Sequence, residues 1–204
     1  MINQVLTEDE ILLNKTNFLG LLNNITREGA DIEKLTRQLE KSDFFYAPAS
    51  TKYHGSYPGG LCDHCLCVYH NLVSLVKNKH MEDVIPEESL IITALLHDMD
   101  KMNKYTTYEK NVPPDDNNPK WHKEECYKLR DDKILVYGNH EENSEYIVRQ
   151  FIPLTREESV AILHHMGGMS FDSSQQNIGD IFENYSLALL LWISDMLSTY
   201  IEKA

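Results

Sequence analysis

The sequence predicts an all-α domain carrying a small irregular β-hairpin insertion. Three observations carry this. Apolar residues recur at helical spacing through most of the chain. Helix start and stop signals bracket those stretches: Asp31, Pro86, Thr155-Arg156-Glu157-Glu158 and the pair Gly167-Gly168. Only the segment from Lys104 to Tyr137 alternates, and it does so weakly.

The elements follow in order. Ile11, Leu12, Phe18, Leu21 and Leu22 predict a helix over residues 8–26. Asp31 caps a second, short helix ending near Leu39. Residues 44–60 are rich in Pro, Gly and Ser and include Lys52-Tyr53-His54-Gly55; a long loop of this kind is often functional. A helix over 60–79 carries His64. Pro86 opens the next helix, which runs through Ser89-Leu90-Ile91-Ile92-Thr93-Ala94-Leu95-Leu96 to His97-Asp98. In the alternating segment, Tyr105–Tyr108 is expected to pair with Ile134–Tyr137. A helix over 142–151 follows His140. Thr155 and Glu158 form a capping box for a helix that stops at the glycine pair after His164-His165. The last helix, 183–202, is apolar nearly all round and should cross the core. Residues 1–204 read as one domain, with 1–40 as an N-terminal helical extension; no repeat or low-complexity linker divides them.

At 204 residues the chain can bury a real core. Its 42% hydrophobic and 25% charged residues are ordinary for a globular protein. No apolar run is long enough to cross a membrane, and the acidic start MINQVLTEDE does not read as a secretory signal. The formal net charge of −13 repels phosphate backbones at long range, so no stable nucleic-acid complex is expected; a small nucleotide held by a metal is still allowed. Cys62, Cys65 and Cys67 crowd together without a second metal-ligand pair. They read as buried, reduced core cysteines, in keeping with a cytoplasmic location.

The residues that carry chemistry are His64, His97, Asp98, His140, His165 and Asp195, most of them in or beside strongly apolar runs. Burying an unpaired carboxylate costs several kcal/mol, and a divalent metal removes that penalty by supplying the partner charge. Helices packed in a bundle can aim such residues into one cleft.

The same residues lie in a set of motifs: GGLCDH (59–64), ALLHDMDK (94–101), GNH (138–140), LHHMGG (163–168) and ISD (193–195). Together these resemble the HD-domain metal-dependent phosphohydrolase superfamily over about residues 44–200, especially single-domain HD hydrolases of phages and gut bacteria and the HD modules of bacterial 3′-to-5′ exoribonucleases. The resemblance implies an HD-type helical bundle. It implies that His64, His97, Asp98 and Asp195 hold a first divalent metal, and that Asp98 bridges to a second held also by His140 and His165. The ion could be Mn, Fe, Ni, Mg or Zn. A metal-activated hydroxide would attack a phosphomonoester or phosphodiester, with a nucleotide or short oligonucleotide as the small phosphorylated substrate. Asp98 and Lys101 would be catalytic, Lys101 contacting substrate phosphate. Two departures stand out: His164 takes a place often aromatic in near relatives, and Asn139 looks like one extra residue before His140.

Two other readings use the same residues. Some HD-fold proteins are di-iron oxygenases with this ligand order, and a non-catalytic nucleotide-binding regulator could keep the pocket without turnover. His54, in the loop leading to Gly59-Gly60-Leu61, is a candidate substrate contact. His70, His80 and His122 read as surface residues. Met99, Met102, Met166 and Met169 read as packing, and Asp115-Asp116 and Asp131-Asp132 as solvated loops.

Overall fold

A computed structural model describes residues 5–114, 119–131, 139–167 and 177–204. The described residues form eight α-helices and one two-stranded antiparallel sheet. The first two helices are α1 (Glu8–Leu22) and α2 (Ile32–Lys41). Thr7 and Glu10 close a capping box on α1, and the Asp31 side chain accepts from the Lys34 amide to start α2. α1 ends at Leu22, four residues short of its expected end, and a turn follows.

Helices α3 (Gly60–Asn78), α4 (Glu87–Leu96) and α8 (Ser186–Leu197) make the centre of the molecule. Every residue of α4 from Ser89 to Leu96 is buried, which is why its apolar run shows no polar face. α3 contributes Leu61, Cys65, Val68 and Leu72, and α8 contributes Leu187, Ala188, Leu190 and Leu191 to the same core. Each such side chain taken fully out of water contributes about 1.5–3 kcal/mol. Phe18 and Leu22 of α1 and Leu35 and Leu39 of α2 belong to that core too. Phe18 packs against Phe44 and Phe45 with ring centroids 5.1 and 5.7 Å away.

Arg27, between α1 and α2, ties the helices together. Its guanidinium donates to both Glu158 oxygens at 2.7 and 2.6 Å, to Glu88 Oε2 at 2.9 Å and to the Pro153 carbonyl at 2.8 Å. Glu158 is fully buried at the start of α6 (Arg156–Leu163). Burial alone would raise its pKa, but Arg27, Ser89 and the Thr155 amide hold the carboxyl below its usual range.

The sheet differs from the sequence expectation. β1 (Tyr105–Val112) pairs with β2 (His122–Leu129), in the register Tyr105↔Leu129 to Val112↔His122. Tyr105–Tyr108 therefore face Cys126–Leu129; the expected partner, 134–137, lies outside the described residues, as do Asp115-Asp116, Asp132, Gly168 and Met169. Pro113 lacks an N–H and ends β1, so the strand turns back early. The nearer partner also closes a shorter loop. Opposite charges fit this register: Lys123 Nζ lies 2.5 Å from Glu109 Oε2 across the ladder.

The last helix is also corrected. Tyr185, at φ −131° and ψ 87°, breaks it into α7 (Ile178–Asn184) and α8. A π-helical turn, Ser198–Glu202, continues α8. Helix α5 spans His140–Arg149 and starts two residues earlier than expected. Asn139 is its cap, in a capping box with Glu142, so the residue that looked additional has a local structural role. Cys62 and Cys65 are buried, but Cys67 is only half-buried, because it lies on the flank of α3 and its Sγ is 3.0 Å from Glu202 Oε2. None of the four cysteines is in a disulfide. His70 and His80 are exposed, and His122 is half-buried on β2. No helix among the described residues is long and apolar enough to cross a membrane.

Candidate metal centre

Five segments deliver the six candidate ligands to one point. His64 stands in the first turns of α3, where the Gly59-Gly60 entry lets the backbone pass close. A Cβ on Gly60 would lie 2.1 Å from the Gly55 carbonyl oxygen, so only glycine lets the loop before it lie against α3. His97 is the C-terminal cap of α4, and Asp98 follows it before a 3-10 turn, Met99–Lys101. His140 is the first residue of α5, and His165 lies two residues past the end of α6. Asp195 lies within α8, one helical turn before Thr199, whose Oγ1 donates to it at 3.2 Å.

Asp98 is the hub. Its Oδ2 is 3.3 Å from His97 Nε2 and 3.8 Å from His64 Nε2. Its Oδ1 is 3.6 Å from His140 Nε2 and 3.7 Å from His165 Nε2. The two oxygens of one carboxylate thus face two separate histidine pairs. The His140 and His165 Nε2 atoms are 3.1 Å apart, and His64 Nε2 is 3.2 Å from Asp195 Oδ1. Neighbouring ligands of an ion bound at about 2.1 Å sit about 3.0–3.4 Å apart, close to these separations.

The outer ring nitrogens explain which atoms face inward. His97 Nδ1 lies 2.9 Å from the Ala94 carbonyl, His165 Nδ1 2.7 Å from the Ile162 carbonyl, and His64 Nδ1 3.2 Å from the Ala204 backbone oxygen. A carbonyl can only accept, so each Nδ1 carries the proton and each Nε2 turns a bare lone pair to the centre. His64 Nε2, His97 Nε2 and Asp98 Oδ1 are buried and have no hydrogen-bond partner among the described residues. Buried polar atoms rarely stay unsatisfied. The residues therefore fit a metal ion: His64, His97 and Asp98 form one group that could hold it, and Asp98, His140 and His165 a second.

Lys101 lies against the hub. Its Nζ donates to Asp98 Oδ2 at 2.7 Å. Burial alone would raise the Asp98 pKa, but the Lys101 ammonium holds it well below the usual carboxylate range. Burial likewise opposes the Lys101 charge, and Asp98 more than compensates, raising its pKa. Lys101 pairs with neither nearby surface acid: Lys104 takes Asp100, and Lys123 takes Glu109.

His54 reaches the same place from the loop, its ring centroid 4.9 Å from that of His64. Burial, with His64 and Lys101 nearby, pushes its pKa down to about 4. Of the adjacent pair, His165 is buried and enters the centre; His164 is half-buried and belongs to neither ligand group. Met99 is buried and packs in the core, whereas Met102 and Met166 are half-buried.

Sequence reasoning missed three features. Glu141 is fully buried with its Oε2 3.2 Å from His140 Nδ1. The Ala204 backbone reaches His64 because the Ala204 amide turns back to the Ser198 carbonyl. A cavity of about 1440 Å³ opens over Asp98, His140, His165 and Asp195, walled partly by the hairpin. An acidic residue directly after a candidate ligand could have flagged Glu141; nothing local points to the other two. Comparison with protein-family models, curated proteins and solved structures returns no match.

Proposed function

We propose that this chain is a metal-dependent phosphohydrolase of the HD type, acting on a phosphomonoester or phosphodiester of a nucleotide or short oligonucleotide. One observation carries the reading: the two oxygens of Asp98 face two histidine pairs, the arrangement a carboxylate bridging two ions requires. His64, His97, Asp98 and Asp195 would hold one divalent ion, and Asp98, His140 and His165 the other. When bound, such ions would supply Lewis acidity and make water at the site more acidic.

The chain's own residues supply the rest. The Nδ1–H bonds of His64, His97 and His165 to backbone oxygens keep those three rings in the ligating tautomer, and His140 Nδ1 lies 3.2 Å from Glu141 Oε2. Lys101 is the ammonium nearest the hub. With Asp98 engaged as a ligand, that ammonium would be free to meet a phosphoryl oxygen, where developing charge is worth most. His54, held neutral by its surroundings, can donate or accept one hydrogen bond to substrate without adding charge.

The test is metal analysis of the purified chain, followed by phosphate-release assays across nucleotides with Mn²⁺, Fe²⁺, Ni²⁺ and Mg²⁺ each supplied. Metal-dependent release that vanishes in Asp98→Asn supports the reading. Dioxygen consumption with iron and no phosphate release would move it to the di-iron oxygenase. Nucleotide binding without turnover under every metal would leave a regulator.

A further inference from the structure

The cavity wall does not share the composition of the chain. Carboxylates outnumber basic residues 32 to 19 overall. Around the cavity the balance reverses: Lys52, Lys101, Lys104, Lys110 and Lys203 face three carboxylates, Asp98, Glu124 and Asp195. Six of the eleven tyrosines also lie there. Tyr57 is buried and donates to Asp63 at 2.7 Å, which gives it a structural job. Tyr53 and Tyr108 are 79% and 41% exposed, large aromatic faces left in water at the mouth of a cavity.

The hairpin provides much of this wall, and no residue in either strand is buried. Its role is therefore not core packing. Tyr108, Lys110 and Val112 alternate with the other residues of β1 and share one face. Across the ladder they meet Cys126, Glu124 and His122. Five of those six residues line the cavity that opens over the metal centre, while the other face contributes only Tyr105, Tyr127 and Leu129, all near the strand root. Glu124, opposite Lys110, is taken by His122 Nε2 at 3.0 Å. Lys110 is exposed and makes no ion pair among the described residues. The strand root adjoins the turn that carries Lys101, three residues from Asp98. Lys110 stands five residues further out than Tyr105, roughly 17 Å along an extended strand.

Resting on the phosphohydrolase reading, we infer that the inner face of the hairpin is a second subsite, in which Tyr108 stacks a nucleobase and Lys110 pairs with a phosphate one or more units away from the phosphate at the metal centre. The ligand class is a single-stranded oligonucleotide, in preference to a mononucleotide. Stacking on an exposed tyrosine suits any base, and a lysine reads a backbone phosphate as a point charge. The global charge of −13 keeps duplexes away, while the local lysines let one short strand in.

The test is fluorescence anisotropy on the full chain with a labelled single-stranded tetranucleotide and the labelled mononucleotide, over a salt series. Circular dichroism would check that each variant folds. The tetranucleotide should bind tighter. Tyr108→Ala should weaken it roughly 5- to 100-fold. Lys110→Met should lower the slope of log affinity against log salt by about 0.7, one phosphate contact on a single strand. Lys123→Met, a charge loss on the opposite face of the hairpin, should do neither. Equal affinity for the two ligands, or equal effects of Lys110→Met and Lys123→Met, overturns the subsite and leaves metal-dependent phosphate release untouched. Metal loading without binding of either nucleotide or cleavage of any phosphate ester overturns the hydrolase reading itself.

Discussion

Replacing Lys101 with Met separates the two partners of Asp98. Met keeps most of the side-chain stem and removes the ammonium. In the metal-free protein this leaves a carboxylate, 2% exposed, that has lost its 2.7 Å donor. Breaking a buried pair from one side costs about 3–5 kcal/mol. Asp98 can limit the loss by taking a proton. At pH 7 that costs about 1.4 kcal/mol for each unit between the solution and an unfolded pKa near 3.9, so about 4 kcal/mol. In a domain of this size each kcal/mol moves Tm by about 2–4 °C. Lys101→Met should therefore melt about 6–16 °C below wild type in EDTA. In saturating Mn²⁺ the gap should fall to less than half, because the ion replaces the missing positive charge. Paired circular dichroism melts with EDTA and with Mn²⁺ measure both gaps. Equal gaps in the two buffers would refute the claim that ammonium and metal serve the same carboxylate.

Other expectations follow from the same geometry. His140→Ala or His165→Ala should each lower metal content towards one ion per chain, whereas His164→Ala should leave stoichiometry unchanged; elemental analysis of the dialysed variants decides this. Lys101→Ala should keep that stoichiometry and reduce kcat/KM on a phosphorylated substrate about 30- to 1,000-fold, seen in steady-state kinetics. Arg27→Met removes the partner of buried Glu158 and should cost about 3–5 kcal/mol in denaturant titrations. Glu158 has a lowered folded pKa, so its contribution is complete above the unfolded carboxylate pKa and fades as pH falls through the folded value. Wild type should thus lose more stability on acidification than Arg27→Met does. Gly60→Ala would place a methyl 2.1 Å from the Gly55 carbonyl oxygen, a backbone clash no rotamer relieves, and should yield little folded protein on expression.

What the sequence makes legible is mostly local. Asp31, Pro86 and the Thr155–Glu158 box mark helix starts because a cap depends only on residues within one turn. The six candidate ligands stand out because ionisable residues beside apolar runs are costly without a partner. The strand pairing is not legible. Neither β1 nor β2 buries a face, so no hydrophobic pattern fixes the register. The break at Tyr185 is hidden for the opposite reason: the sequence there carries no proline or glycine, and tertiary packing decides the turn. The pairs Thr7–Glu10 and Asn139–Glu142 carry the same capping spacing, but the sequence expectation used neither and took Asn139 as an additional residue. The contact of Lys101 with Asp98 depends on α4 ending at Leu96, which an unbroken apolar run does not reveal. The lysine and tyrosine wall joins residues from opposite ends of the chain, beyond the reach of any local pattern.

The candidate ligands span residues 64 to 195, each from a different segment except His97 and Asp98. No hairpin or helix pair contains a complete set, so an ion that needs them all recognises the finished fold and not its parts. Such an ion acts on survival as much as on chemistry. At a hundred times its dissociation constant it adds about 2.7 kcal/mol to the whole folded state. The fraction of chains open to proteases falls accordingly, roughly a hundredfold. The abundance of the protein in a cell would then track the supply of the ion.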